Sequence, residues 1–472
     1  MHKEISSLSL ISHHQALPPT MKKYYQLALV IVSLVSVVTL LFYRHEYNRL
    51  RYVLEVLNFF GKPGVQQSSL SSNDCLNTNS SVHERKFPSF AEPTPTWQRL
   101  SSTHFLYSAF WEVSGDERRV KALSLEFGDD IPNFGCSFWF EDRDAPVTGK
   151  FSFSKIDTKE TGNDALKDIS KPKIVGYYLF CKAKDVVNVP YGVTFYKTDD
   201  IVPSKAFIPV YYTYEKSALS NSTTICIAAS ATPGLLKSTA AEFLSYHQLV
   251  GVTNYVIYDG GLPNRVLSVL RGSAVRDGLG LGVSVLPWNF PIPSLQADTA
   301  ASMIMEKDCL LRTAGRVHNV ATLTWEEYIV PRYHHLLASM LDDFDAGRKT
   351  TSRFEIPTLI FCTEFPDDER AEPASPLVFR KTRYSKTGNS ERPFFVYRPH
   401  LISISSNREP TLTTTQRVSQ GIAAVHRYTT CTQGNGQLAD KAYLNEPAML
   451  RFSGDLKRSK LLKAWSSGRL FI

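Results

Sequence analysis

The chain has no Cys-x-x-Cys pair, no Walker-type loop, no Gly-x-Gly-x-x-Gly and no Gly-x-Ser-x-Gly elbow. Neither His-x-x-x-His nor His-Glu-x-x-His occurs. A structural zinc, a phosphate loop, a dinucleotide crevice, a hydrolase serine and a zincin helix each need one of those spacings, so none is expected. Arginine-rich blocks, fingers and recognition-helix patterns are missing too. The net charge of +8 is carried by scattered basic residues, which suits an enzyme of anionic substrates and gives no reason to expect nucleic acid as a partner. There is no internal repeat. Cysteine is sparse, with seven residues at 75, 136, 181, 226, 309, 362 and 431. In an oxidising lumen some of them pair. Cys136 and Cys181 flank one β-rich region and are the preferred pair. An odd count leaves at least one cysteine free or bonded between chains.

What the chain does contain begins with "YYQLALVIVSLVSVVTLLFY" at 24–43, a charge-free run with tyrosines at both ends. About 20 apolar residues cross a bilayer as a helix, and tyrosines favour the interfaces. A cleaved signal peptide is the alternative, against which stand the length of the run and the missing small-x-small site. Lys3, Lys22 and Lys23 precede the run, and Arg44, Arg49 and Arg51 follow it, so flanking charge does not set its orientation. Two sequons, Asn79-Ser80-Ser81 and Asn221-Ser222-Thr223, suit a lumenal downstream part. The expected organisation is a cytosolic tail (1–23), a transmembrane signal anchor (24–43), a polar stem (44–100), a β-rich module (101–220) and a second domain (221–472).

After residue 220 the rhythm changes. "TTICIAAS", "NYVIYDGG" and "GVSVLPW" read as strands, as does the stretch Asn319–Pro331, an apolar strand that ends in Glu326 and Glu327. Between them stand helical patterns: one opening at Thr232 and Pro233 and stopping at Gly251, one near "NRVLSVLR", one through "DTAASMIMEKDCLLR", and one over "RYHHLLASMLDDF" carrying His334 and His335. This alternation predicts an α/β fold with a parallel sheet and helices on both faces. In such sheets ligands bind beyond the carboxyl ends of the strands. Asp259 ends one strand, and Glu326 and Glu327 end another. Mn²⁺ or Mg²⁺ takes oxygen ligands and stabilises a diphosphate as a Lewis acid. The two glutamates alone fit equally well a polar exit from the core.

A set of motifs in order adds to this. "AEFLSYHQLVGVTNYVIYDGG" (Glu242, Tyr246, His247, Leu249, Gly251, Val252, Tyr258, Asp259) is similar to the signature of family 92 glycosyltransferases. "KDCLLR" (Asp308, Cys309, Arg312) resembles that family's Asp-Cys-Leu-x-Arg helix. Thr324-Trp325-Glu326-Glu327 falls where the family has Asp-x-Asp-Glu. "FFVYRPHLISIS", "AAVHRYTTC" and "LYSAFWE" resemble further family segments, the second with Arg427 and Tyr428 in reversed order.

The resemblance implies a GT-A type fold, a Golgi membrane protein of single-pass type II topology with its catalytic domain lumenal, and a UDP-sugar donor. UDP-galactose, or another UDP-hexose, would be transferred with inversion to a glycan acceptor. On this reading Glu326, Thr324 and His426 hold Mn²⁺ or Mg²⁺. Asp259, Arg392 and Lys386 contact the donor, within a basic run that includes Lys381 and Arg398. Glu327 and Asp367, the latter in the acidic loop "EFPDDERAE", are the candidate bases. His247 reads as a core histidine. The departure from Asp-x-Asp leaves open a second reading, a catalytically silent relative that binds glycans or acts as a scaffold.

Overall fold

Strict alternation in "FGCSFW", with Phe134, Cys136 and Phe138 buried and their neighbours half-exposed, is the mark of a strand with one face on a core. It belongs to a β-rich amino-terminal half. The strands are β1 (Gln98–Arg99), β2 (His104–Ser114), β3 (Glu117–Phe127), β4 (Phe134–Trp139), β5 (Val147–Lys155), β6 (Ile174–Lys182), β7 (Gly192–Lys197) and β8 (Lys205–Tyr211). They pair in the order β1-β2-β3-β6-β5-β4-β7-β8. A parallel pairing of Ala109 and Phe110 with Val210 and Tyr211 joins β2 to β8 and closes a barrel. Closure removes the open edges of the sheet. Leu106, Val120, Phe138, Leu179, Phe195 and Ile208 fill the interior. The expected Cys136–Cys181 disulfide lies in that core. A side chain at Gly149 would overlap Cys181 Sγ, so glycine is needed there.

The computed structural model describes residues 33–36, 39 and 97–466. Within 97–466 the exceptions are 115–116, 128–132, 157–173, 184–187, 198–204, 213–219, 229–236, 272–279, 292–297, 346–350, 373–374, 387–392, 403–413 and 432–441. The stem with Cys75 and Asn79, the helix start at Thr232 and Pro233, and Arg392 therefore lie outside the described residues, as does most of the expected membrane span. Of 24–43, residues 33–36 and 39 are described and are helical. Among the described residues no helix is long and apolar enough to cross a membrane. All that follows belongs to one compact unit, His83–Ile472.

The carboxyl-terminal half opens with β9 (Ser220–Ile227), α1 (Lys237–Leu249), β10 (Val252–Asp259), α2 (Asn264–Arg271), β11 (Gly282–Pro287), α3 (Asp298–Thr313) and β12 (Val317–Leu323). It continues with β13 (Glu327–Pro331), α4 (Leu337–Phe344), β14 (Arg353–Ile356), β15 (Thr358–Cys362), α5 (Leu377–Arg380), β16 (Arg383–Ser385) and β17 (Phe394–Tyr397). The last elements are β18 (Thr415–Arg417), β19 (Ala423–Thr429), β20 (Tyr443–Asn445), α6 (Ser453–Arg458) and α7 (Lys460–Ser466). A seven-stranded sheet runs β11-β10-β9-β12-β17-β14-β18. Its first four strands are mutually parallel. The rest make the sheet mixed.

Ile225, Ile227, Tyr255, Ile257 and Leu323 face α1, α2 and α4. Cys226, Val256, Tyr258, Leu286 and Val320 face α3 and the barrel residues Tyr107, Phe110 and Leu123. The expected mixed α/β architecture with helices on both faces is thus present, with a closed barrel packed on one of them. A second disulfide, Cys226–Cys309, ties β9 to α3, and a third joins Cys362 to Cys431. Gly251 ends α1 with φ 93°, a left-handed conformation that glycine adopts without steric cost.

Two expectations are corrected. The apolar stretch over 319–331 is not one strand. It breaks after Leu323, and β13 leaves the parallel sheet to pair with β19 in a separate sheet ordered β13-β19-β15. Both halves are apolar, so hydropathy runs smoothly across the break. The helix expected over "RYHHLLASMLDDF" begins only at Leu337. Arg332 N–H still donates to Ile422 O, prolonging the strand pairing, so His334 and His335 precede the helix.

Candidate functional site at the end of the fourth parallel strand

From β9 the chain steps through β10 to β11 on one side, then places β12 on the other side of β9. This reversal makes the crevice between β9 and β12 a topological switch point, the place where open α/β sheets take ligands. Ala228 N–H donates to Leu323 O at 2.8 Å and carries the pairing to the rim. The next residues are Thr324, Trp325 and Glu326.

These three form a tight turn into β13. Glu327 N–H donates to Thr324 O at 3.2 Å, and Thr324 N–H donates to Glu327 Oε2 at 2.8 Å. Trp325 is 2% exposed and packs on Phe243 of α1, with ring centroids 5.2 Å apart. It anchors the turn from inside and leaves Glu326 at the rim. Tyr428 N–H donates to Glu326 O at 3.0 Å, tying the turn to β19. The Glu326 carboxyl is half-buried, and burial pushes its pKa up. The guanidinium of Arg427 opposes that rise, and Glu327 adds to it.

Arg427, opposite Glu327 in the β13–β19 register, brings Nε to 3.9 Å from Glu327 Oε1. The segment "AAVHRYTTC" contains Arg427, but only the strand register shows that it faces the acids. Thr324 Oγ1 is buried with no hydrogen-bond partner among the described residues. Together Thr324 and Glu326 offer two hard oxygen donors. Such a pair suits Mg²⁺ or Mn²⁺ when the diphosphate and water complete the shell. Among the described residues no group of three His, Cys, Asp or Glu side chains gathers to hold a metal by itself.

The other expected site residues are placed differently. His426 is opposite Tyr328 in the register, so both point to the face of the sheet that packs on α1, away from Arg427 and Glu327. Its ring stacks on Phe361 at 4.5 Å and is 1% exposed. Burial, with help from Arg332, lowers its pKa to about 3. In this structure His426 is therefore a core residue. His247 is also in the core. Its Nδ1–H donates to Phe243 O at 2.9 Å, and its ring stacks on Tyr328.

Asp259 accepts the N–H groups of Gly261 and Leu262 through Oδ1, at 3.1 and 2.9 Å, and so shapes its own turn at the rim. Asp367 is held by Arg380 at 2.9 Å and Lys381 at 2.7 Å. The Lys381 hydrogen bond leads the effects that pull its pKa down, which makes it a weak base. Lys386 is exposed beside β16. Arg398 is fully buried between Asp345 at 2.6 Å and Asp342 at 2.7 Å, a structural cation rather than a phosphate ligand.

Glu242, on α1, lies in the motif "AEFLSYHQL". Burial raises its pKa to about 7, against the Leu377 N–H it accepts and the charge of Arg380. Its charge acts on Tyr328 and Tyr428, and Glu326 also acts on Tyr328. The structure therefore brings together the acid turn and Arg427, with His426 on the opposite face of β19.

Comparison with known proteins agrees with the geometry. A search of the curated proteins finds no match to the chain. The family model described as Glycosyltransferase family 92 matches residues 232–451, just under half of the chain, and this span contains α1, the rim, the acid turn and β19. The part of the chain that holds the site, residues 232–451, is thus similar to family 92 glycosyltransferases.

Proposed function

We propose that the protein transfers a hexose, galactose before others, from a UDP-sugar to a glycan acceptor with inversion at the anomeric carbon. The observation that supports this most is the position of Thr324-Trp325-Glu326-Glu327 at the switch point of the parallel sheet, inside the matched family segment. The reading takes the fold as GT-A type. Glu326 and Thr324 would hold Mn²⁺ or Mg²⁺ there, and the bound ion would supply Lewis-acid stabilisation of the departing diphosphate. Arg427, next to Glu327, adds fixed positive charge on the same side. Glu327 holds the Thr324 N–H and so keeps the turn in shape. Trp325, sealed against Phe243, excludes water from beneath it.

The same proposal places the protein in the Golgi membrane, with a single type II span at 24–43 and the catalytic domain lumenal. Three disulfides among the described residues support an oxidising compartment. The test is calorimetric titration of the full chain with UDP and with UDP-galactose, with and without Mn²⁺. Metal-dependent binding, lost in Glu326→Ala, is the expected result. A folded protein that binds neither would mean a silent relative, a reading favoured by one observation: Thr324 offers a neutral hydroxyl where the family has a carboxylate.

A further inference from the structure

Strand register shows what else opens at the end of the molecule where the acid turn stands. β13 runs antiparallel to β19 with Glu327 opposite Arg427, and β15 runs parallel to β19 with Cys362 opposite Thr429. The first residue of β13 and the last of β15 therefore lie at the same end of β19, and the acidic loop leaves β15 there. Two hydrogen bonds hang the turn and the loop on one stretch of chain. Tyr428 N–H donates to Glu326 O at 3.0 Å, and Cys431 N–H donates to Glu364 Oε1 at 2.9 Å. Tyr428 and Cys431 are three residues apart, a span of at most about 11 Å. The Cys362–Cys431 disulfide fixes the base of the loop.

Beyond that base the loop meets β20. Phe365 lies against the Tyr443 ring, with centroids 5.4 Å apart, and the Arg383 guanidinium of β16 stands 5.0 Å from the centre of the same ring. Lys381 Nζ and Arg383 hold the loop by donating to Phe365 O and Pro366 O. Tyr443 is 44% exposed although Phe365 and Arg383 fix it in place. A ring held still and left open costs little entropy to cover. Leu444, also exposed, points to the other side of β20, since side chains alternate along a strand. The Tyr443 ring thus stands among charged groups. Arg383 lies over it, and Asp367, held by Arg380 and Lys381, is two residues along the loop from Phe365. A pyranose matches such a surface, because the C–H groups of one face cover a ring while its hydroxyls bond to a carboxylate and a guanidinium. A protein partner needs a wider apolar area.

We propose that Tyr443 is the stacking platform of an acceptor subsite set apart from the point of transfer, an inference that rests on the sugar-transfer reading of the acid turn. The acid turn acts on the terminal sugar of the acceptor. The Tyr443 ring, across the acidic loop, covers a sugar further along the same glycan, and Asp367 and Arg383 take its hydroxyls. The acceptor is then an oligosaccharide rather than a single sugar, because a monosaccharide held at the turn does not extend past Phe365 to the ring.

The experiment compares full-length wild type, Tyr443→Ala and Tyr443→Trp. Fluorescently labelled β-linked oligomers of galactose, glucose and N-acetylglucosamine, from one to six units long, are titrated by anisotropy in the presence of UDP and Mn²⁺. UDP titration and thermal melting run beside them. Wild type is expected to bind at least one series more tightly as its length grows. Tyr443→Ala should lose about five- to tenfold of that gain, the worth of one aromatic contact. Its affinity for UDP and for single sugars should stay within about twofold, because the acid turn is intact. Tyr443→Trp should keep the gain. The melting temperature should hold, since the ring is nearly half exposed on a two-stranded sheet. Wild-type affinity that does not grow with length overturns the proposal, and so does a gain that survives in Tyr443→Ala. A loss that comes with weaker UDP binding or a lower melting temperature also overturns it. Wild type that binds no UDP yet gains affinity with length through Tyr443 overturns the sugar-transfer reading instead, and leaves Tyr443 as a glycan contact of a silent relative.

Discussion

Two histidines, His247 and His426, occupy the core beneath the acid turn, each with a ring nitrogen that has no hydrogen-bond partner among the described residues. Burial is the first cause of the lowered pKa in both, and each lies at about 3 against 6.5 in an unfolded chain. The unfolded chain therefore binds protons that the folded one does not. Their contribution to stability is full above pH 6.5 and is lost as pH falls toward 3, at about 1.4 kcal/mol per pH unit for each. Glu242 has the opposite sign. Its raised pKa gives stability below about 4.5 that is lost as pH rises through about 7. Urea unfolding between pH 5 and 7 separates these effects. The double variant His247→Gln/His426→Gln should show a flatter fall toward acid than wild type, and an unchanged slope would contradict the burial argument. At this scale the sequence was legible in part. His247 reads as core because it stands among apolar positions of α1. His426 does not read so, because its neighbours alternate about a strand whose two faces are told apart only by its partners. Arg427 was missed for the same reason, since nothing local marks the face onto which a charged side chain opens.

The acid turn shows how an element is made by its partners. Leu323 ends one sheet and Glu327 begins another, and the three residues between them turn because Trp325 inserts against Phe243 while Thr324 and Glu327 bond across. Replacing Trp325 by Ala removes a ring buried among α1 side chains and should cost about 3–5 kcal/mol. The measurement is the urea midpoint at constant m-value. Trp325→Phe should retain most of the stability, whereas a loss below about 1 kcal/mol for the alanine variant would mean the ring is not the anchor. Strand and helix alternation was readable from residue 221 onward because each element there buries one apolar face. The break at Thr324 was not, because a strand that changes sheets keeps its hydropathy. The start of α4 at Leu337 was not, because Arg332 is drawn into pairing with Ile422 before the helix begins.

Across the whole molecule the barrel and the parallel sheet share one buried polar junction. Asp308 of α3 accepts Ser108 Oγ from β2 at 2.6 Å, the Tyr258 hydroxyl from β10 at 2.7 Å, and the guanidinium of Arg312 at 2.9 and 3.0 Å. Arg312 also lies over the ring of Tyr211, in β8, at 4.5 Å. Asp308→Ala would leave that buried guanidinium unpaired, which costs about 3–5 kcal/mol. It should therefore destabilise far more than Ser108→Ala, which removes a single hydrogen bond worth about 1 kcal/mol. Comparable losses for the two variants, read from urea unfolding, would show that the ion pair is not what holds the junction. The matched family segment begins at 232, yet its α3 face is covered by Tyr107, Phe110 and Leu123 of the barrel. The barrel thus completes the core on the face of the sheet opposite to that on which Trp325 packs.

Order along the chain settled a good deal of this. The mixed α/β class, the strands that end at the rim and the resemblance to family 92 all follow from local periodicity and short motifs, which depend on near neighbours. Pairing between distant strands settled the rest. It closed the barrel, put the switch point at the acid turn, turned Arg427 toward the acids and His426 away from them, and half-buried Glu242 near a neutral pKa. Those outcomes depend on which surfaces meet, and a one-dimensional pattern carries no record of the partner that will cover a given face.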